Sequence, residues 1–286
     1  MFVELFLPIV AHADGVAMLN SGLQKTYMSC MGIDDLLGNM KKIAGINTGV
    51  TSVGTAAGAG AVVVGIKNHD ELFGDLRDLE AREDFSGSGN VLLDIKQQSD
   101  FKPNIKSKKS KNLGNWRTGL LAANTAANVA GAILATKNTS SDDELNTRVG
   151  ACISAVNDLQ NIIIQARANG VDVTEAQKIY DACSEYKYVD LSKIKKRGRG
   201  AQISSVAGGV VGGAGIVSSH IANNPDQNNA EKIDTAANVL AGGATALSGA
   251  ATVFNATQIS AIKKVADVAQ NCEKVLKLKS CCRFFV

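Results

Sequence analysis

Four stretches of this chain lack any lysine, arginine, aspartate or glutamate and are dominated by small residues: 43–66, 118–136, 201–222 and 235–262. Nothing else in the sequence limits the fold so strongly. Each stretch is near the length of a helix that crosses a bilayer, which takes about 20 residues. Within them glycine and alanine recur at helical spacing. Gly45 and Gly49, Gly54 and Gly58, Gly208 and Gly212, and Gly209 and Gly213 each stand four apart. Gly119, Ala123, Ala127, Gly131 and Ala135 form an unbroken i, i+4 ladder, and Gly242 and Gly249 mark the last stretch. Residues four apart share a helix face, and a face of small residues lets a partner helix come close. Six glycines between 45 and 65 would together cost a helix about 5–6 kcal/mol against alanine, so close contact must offset them. These positions are therefore expected to be helix-packing sites. The seams belong either to membrane helices or to a soluble bundle. Gly/Val-rich strands would suit the run Val62–Val64 but not the alanine ladder.

Composition supports tight packing over bulk. Aromatic residues are 5% of the chain, with 28 glycines and only 3 prolines, so contact must supply more of the stability than buried area does. Basic residues bracket the stretches: Lys42 and Lys67, Arg117 and Lys137, Arg199, and Lys263. With them at both ends, no orientation follows from charge. The net charge of +3 is too small to indicate nucleic acid.

The order of features repeats. Tyr27 and Cys30, a polar segment, the pair Lys41–Lys42 and the first stretch are matched by Tyr180 and Cys183, a polar segment, Lys195–Lys196 and the third stretch. The second and fourth stretches each lead into an amphipathic segment holding a cysteine, Cys152 and Cys272. The expected fold is all-α, with two similar halves of long antiparallel Gly/Ala-rich helices, as glycine-zipper-type hairpins, and a helical-hairpin arm between them.

The expected divisions are a signal peptide over 1–13, a first half over 14–138, the arm over 139–188 and a second half over 189–286. Ala11 and Ala13 give the small-x-small pattern at which signal peptidase cuts, which points to export into the periplasm or cell-envelope membrane. A short helix is expected over 16–30, broken by Gly32, followed by small-residue helices over 34–67, 115–137, 191–222 and 231–278. A polar loop over 68–112 holds a short amphipathic helix and the cluster Lys106, Lys108, Lys109 and Lys111, a candidate contact for an anionic surface. In the arm, Asn169–Gly170 ends one helix, and Thr174 with Gln177 forms a capping box for the next.

Six cysteines suit an oxidising compartment: Cys30, Cys152, Cys183, Cys272, Cys281 and Cys282. The expected pairs are Cys152 with Cys183 and Cys30 with Cys272, leaving Cys281 and Cys282 for each other or for a second chain. No CxxC or Cys/His cluster suggests a metal. Walker, dinucleotide, HExxH and GxSxG patterns are all missing from the sequence, so neither catalysis, a cofactor nor a small-molecule substrate is expected. The function expected is that of an envelope structural or interaction protein, with a membrane as partner and a protein or second copy as further candidates. The alternatives are a membrane-inserting pore-former and a soluble exported bundle that binds a protein.

Overall fold

The protein is described by a computed structural model covering residues 7–84, 107–223 and 229–280. Their regular structure is helical, with no strand among them. In chain order the helices are α1 (Leu7–Cys30), α2 (Ile33–Asp84), α3 (Lys108–Ala168), α4 (Thr174–Ser184), a 3-10 turn (Glu185–Tyr188), α5 (Ser192–Ala222) and α6 (Ala230–Ser280). The expected boundaries of the first half are corrected here. α2 does not stop near Lys67 but runs on to Asp84, because Leu72 and Phe73 keep its buried seam going against Ala230. The second small-residue helix and the first arm helix are one 61-residue helix, α3, since no Gly-Pro or Asn-Gly break separates 137 from 142.

The turns follow from local chemistry. Gly32 at φ +83° carries the chain from α1 into α2, a conformation costly for any residue with a Cβ. The start of α2 is capped from a distance, where Glu273 Oε1 accepts hydrogen bonds from the Gly32 and Asp34 amides at 3.1 and 3.0 Å. Glu273 is buried, and its second oxygen meets Lys277 at 3.0 Å. α3 ends at Gly170, φ +75°, where the Val171 amide reaches back to the Ala166 carbonyl at 3.0 Å, the closure expected of a left-handed helix end. The next helix starts without the expected capping box. Asp172 takes that role and accepts from the Thr174 amide and hydroxyl at 2.9 and 2.7 Å. Gln177 instead accepts from Arg167. Asp190 and Ser192 repeat the device at the start of α5.

The fold divides into two compact units that cut across the expected halves. The first comprises Met1–Gly45, Ala135–Arg199 and Asn255–Val286. Its core is apolar, built from Leu19, Leu23, Ile33, Leu37 and Met40, Leu145 through Ile163 on α3, Ile179, Tyr186 and Ile194, and Ile262 and Val265. Two disulfides lie within it, Cys30–Cys152 and Cys183–Cys272. The expected partners were exchanged. Each bond ties the C-terminal end of a short helix to a long helix farther along the chain, Cys30 on α1 to α3 and Cys183 on α4 to α6. The sulfurs of Cys30, Cys152 and Cys272 lie within 4.8 Å of one another, so the two bonds sit side by side.

The second unit comprises Ile46–Leu134 and Gly200–Phe254. It is an up-down-up-down bundle. Gly54 faces Ala127 and Ser248, and Gly65 faces Arg117 and Asn238, so α2 runs antiparallel to both α3 and α6. Gly208 faces Asn128 while Gly215 faces Leu121 and Leu240, placing α5 antiparallel to the same two helices. Buried positions alternate spacings of four and three along each helix, as at Asn47, Thr51, Gly54, Gly58, Ala61, Gly65 and Asn68. That average of 3.5 is the seam of a left-handed bundle.

Candidate functional site: a polar interior inside four apolar helices

The second unit reverses the usual distribution of polarity. Its seam positions hold Asn47, Thr51, Arg117, Asn124, Asn128, Ser205, Asp234 and Ser248, all essentially buried. Its outer positions hold Val53, Ile133, Ile203, Val210, Val239 and Val253, each more than half exposed. Isolated exposed aliphatics mean little, but outward aliphatics on every helix around a polar interior form a pattern.

A charged cluster occupies one end of this interior. Arg117 Nη1 bonds to Asp234 Oδ1, and its Nη2 donates to the Asp234 carbonyl at 3.3 Å. These two side chains are 1% and 0% exposed. His69 Nδ1 lies 2.9 Å from Asp234 Oδ2, and Asn238 Nδ2 donates to the same oxygen at 3.5 Å. The His69 ring also meets Phe73, centroids 5.0 Å apart. Space for the cluster comes from Gly65, where a Cβ would lie 2.0 Å from Asn238 Oδ1 and 3.3 Å from Arg117 Nε.

Beyond a thin apolar layer of Ala61, Leu121 and Ala241 comes an amide network. Asn124 Nδ2 donates to the Gly54 carbonyl at 2.9 Å, and Asn128 Nδ2 donates to Asn124 Oδ1 at 2.6 Å. Ser248 Oγ donates to Asn128 Oδ1 at 2.9 Å. Next along the seam, Thr252 Oγ1 donates to Thr51 Oγ1 at 2.9 Å. Each buried amide thereby recovers part of what it loses on leaving water.

The glycines are sorted by this network. Gly54, Gly58, Gly131, Gly208 and Gly212 lie on the seam, and the nearest atom to an added Cβ belongs to a side chain at each. A Cβ on Gly58 would fall 2.1 Å from Asn124 Nδ2 and 2.3 Å from Thr245 Oγ1. Gly209 and Gly249 make only ordinary contacts, with Val129 and Thr55. Gly45, Gly49, Gly119, Gly213 and Gly242 have nothing within 4 Å of an added Cβ. Ala123 is exposed and Ala127 half-buried, because a strict i, i+4 row drifts off a seam of period 3.5. The residues that sequence reading passed over, Asn124 and Asn128, sit on it.

Other expected sites are dispersed. Lys109 pairs with Glu71 at 2.5 Å, and Lys108 and Lys111 are exposed on the first turn of α3. Lys106, Cys281 and Cys282 lie outside the described residues. Residues 11–13 fall within the span of α1.

The first unit holds one polar layer of its own. Asn138 Nδ2 donates to Gln258 Oε1 at 3.0 Å, and Gln258 Nε2 donates to the Ile194 carbonyl at 3.3 Å. Asp142 is buried beside them, with Oδ2 3.2 Å from where a Cβ on Gly198 would stand. Burial pushes its carboxyl up to about 7, helped by neighbouring Asp143 and opposed by Lys195 and Arg199. Asp143 itself is held low by its 2.8 Å bond to Lys195.

No protein-family model, curated protein or solved structure matches this chain.

Proposed function

We propose that the chain is an exported cell-envelope protein whose second unit lies within a bilayer while its first unit stands outside as an interaction domain, with no catalysis. One observation carries this reading: the second unit turns valine and isoleucine outward on all four helices and asparagine, threonine and serine inward. In water that arrangement exposes apolar surface all round and buries amides that solvent would satisfy. In lipid it is the favoured one, since the tails solvate the aliphatics and interhelical hydrogen bonds give about 0.6–2 kcal/mol each. Four helices are long and apolar enough to cross a membrane. The buried Arg117–Asp234–His69 cluster fits the same setting, where an ionisable side chain must face the bundle interior and find a partner. Two disulfides favour an oxidising compartment on the outer side.

The reading includes two similar halves. Cys30–Cys152 and Cys183–Cys272 join matching elements, and the seam of α3 matches that of α6 at Asn128 and Ser248, Asn138 and Gln258, and Cys152 and Cys272. Glycine-zipper contact is part of it in modified form, with seam glycines receiving Asn and Thr side chains.

The test is membrane retention through an alkaline carbonate wash, comparing the parent with Val53→Lys, Val210→Lys and Val239→Lys. These outward positions are 65%, 69% and 70% exposed, and each lysine adds about 3 kcal/mol to insertion at mid-membrane depth. The parent should stay with the membrane and the lysine variants should be released. A parent that washes off, or lysine variants retained as fully as the parent, would sink the reading. The run of Asn, Ser and Thr along the interior favours one second reading, a pore-former. The apolar layer at Leu121 interrupts that run, and release of dye from liposomes would decide for it.

A further inference from the structure

The two disulfides of the first unit share one place in its core. Cys30 ends α1, Cys152 lies on α3, Cys183 on α4 and Cys272 on α6. All four are fully buried. The sulfurs of Cys30, Cys152 and Cys272 lie within 4.8 Å of one another, and Cys183 is bonded to Cys272. Four helices thus deliver four sulfurs to one region, although their spacing in the sequence holds no metal motif. Helices hold such ligands more firmly than loops do.

A disulfide needs only the contact within its own pair, so the closeness of one pair to the other is a separate observation. A tetrahedral zinc-class site places sulfur about 2.3 Å from the metal, which sets its sulfurs about 3.8 Å apart. In the chain before oxidation, paired thiols stand at ordinary contact distance, close to that edge. Side-chain rotation then brings the three clustered sulfurs onto a tetrahedron, with Cys183 beside Cys272 as the fourth. Glu273, next to Cys272 in the chain, is engaged by the Gly32 and Asp34 amides and by Lys277, which leaves the sulfurs as the donor set. Bare thiolates would be costly in this apolar core, so loss of their protons and entry of a cation must go together.

We propose that the reduced chain binds one zinc-class divalent cation through Cys30, Cys152, Cys183 and Cys272, and that oxidation to the two disulfides expels it. Binding displaces the four thiol protons. Oxidation takes four electrons from the four thiolates, two for each S–S bond formed. Two molecules of a small disulfide accept them and leave as four thiolates, and the cation departs with its charge unchanged. The site belongs to the chain before its disulfides form and is independent of where the second unit lies.

The experiment reduces the full chain in detergent with a phosphine, which adds no competing thiol, and titrates cobalt(II) in the absence of oxygen. The reduced parent should show tetrahedral visible bands with thiolate charge transfer, saturating at one ion per chain and lost when zinc is added. The oxidised parent should show neither. Cys281→Ser/Cys282→Ser, which removes the other two cysteines of the chain, should keep the spectrum. Cys152→Ser and Cys272→Ser should each weaken binding roughly a hundredfold. Circular dichroism separates loss of metal from loss of fold, and if these two variants lose helicity the parent and the tail variant still decide. A reduced parent without the tetrahedral thiolate spectrum overturns the proposal. So does a spectrum that the tail variant abolishes, or one that Cys152→Ser and Cys272→Ser leave intact.

Discussion

The buried pair Arg117–Asp234 allows a sharp test of what holds the second unit together. Arg117→Met removes the guanidinium and leaves a fully buried carboxylate facing only His69 and Asn238. Breaking a buried pair from one side costs about 3–5 kcal/mol, because the surviving charge keeps its desolvation penalty and loses its compensation. Asp234→Leu strands the guanidinium in the same way and should cost a similar amount. The double variant Arg117→Met/Asp234→Leu strands neither charge. It loses the His69 contact, worth about 1 kcal/mol, and should lie within about 1–2 kcal/mol of the parent. The two single losses therefore should not add. Unfolding in mixed micelles by rising SDS fraction measures all four species. Trp116, the sole tryptophan, adjoins Arg117 and reports on this end of the bundle. Additive single losses, or single losses below about 1 kcal/mol, would refute the claim that the pair is dry and mutually dependent.

The remaining predictions concern bonds, seams and titration. Peptide mapping without reduction should recover Cys30 linked to Cys152 and Cys183 to Cys272, and a Cys152–Cys183 peptide would contradict the fold. The bonds close spans of 122 and 89 residues, so removing either should cost about 4–5 kcal/mol on the loop-entropy account, read as a lowered denaturation midpoint. Gly58→Ala should destabilise by about 1–3 kcal/mol, since its Cβ displaces Asn124 from the Gly54 carbonyl. Gly119→Ala, with open space around it, should gain about 0.5–1 kcal/mol instead, and equal signs for the two would reject the seam assignment. Burial pushes the Asp142 carboxyl up to about 7, above the ordinary carboxylate value of 3.8, so between those values the folded state holds a proton that the unfolded state has lost. Stability from this group therefore falls as pH rises from about 4 to 7. Asp142→Asn should flatten that part of the stability profile and gain most above pH 7, while an unchanged profile would show that the carboxyl is not buried in this way.

Much of the helical framework is legible in the sequence, and the reasons it fails elsewhere are specific. The start of α2 and the end of α3 were readable because Gly32 and Asn169–Gly170 are strong local signals. The unbroken lengths of α2 and α3 were not, since polar residues at 68–71 and 137–144 look like loop when their burial is unknown. Asn68, Asn138 and Asp142 are in fact seam residues. The interior network was missed for the same reason. Asn124 and Asn128 lower the hydropathy of their stretch, although they lie on its buried face. The disulfide partners depended on which helices are neighbours, which no spacing of cysteines supplies. The ionic cluster joins residues 165 and 117 positions apart in the chain, and neither His69 nor Arg117 has a local motif.

What separates the two units is the identity of the residues that each buries. Along α2 the buried positions pass from Leu37 and Met40 to Asn47 and Thr51, and along α3 from Asn124 and Asn128 to Leu145 and Val149. The outward positions change in the opposite sense, from Lys41 and Lys42 to Val53 and Val63 on α2, and from Val129 and Ile133 to Asp143 and Glu144 on α3. Backbone geometry is helical on both sides of each change, so secondary structure cannot have selected it. Two reversals at once, inward to polar and outward to apolar, are hard to reconcile with a single solvent. A bundle in water would gain from leucine at 124 and lysine at 53. In lipid both substitutions would be unfavourable, the first by removing hydrogen bonds to Gly54 and Asn128 and the second by burying a charge. Asn124→Leu and Val53→Lys should therefore shift stability in the same direction within one medium, upward for a soluble bundle and downward for an inserted one. Opposite shifts for the two, measured in the same medium, would mean that polarity in this unit is not set by a solvent boundary.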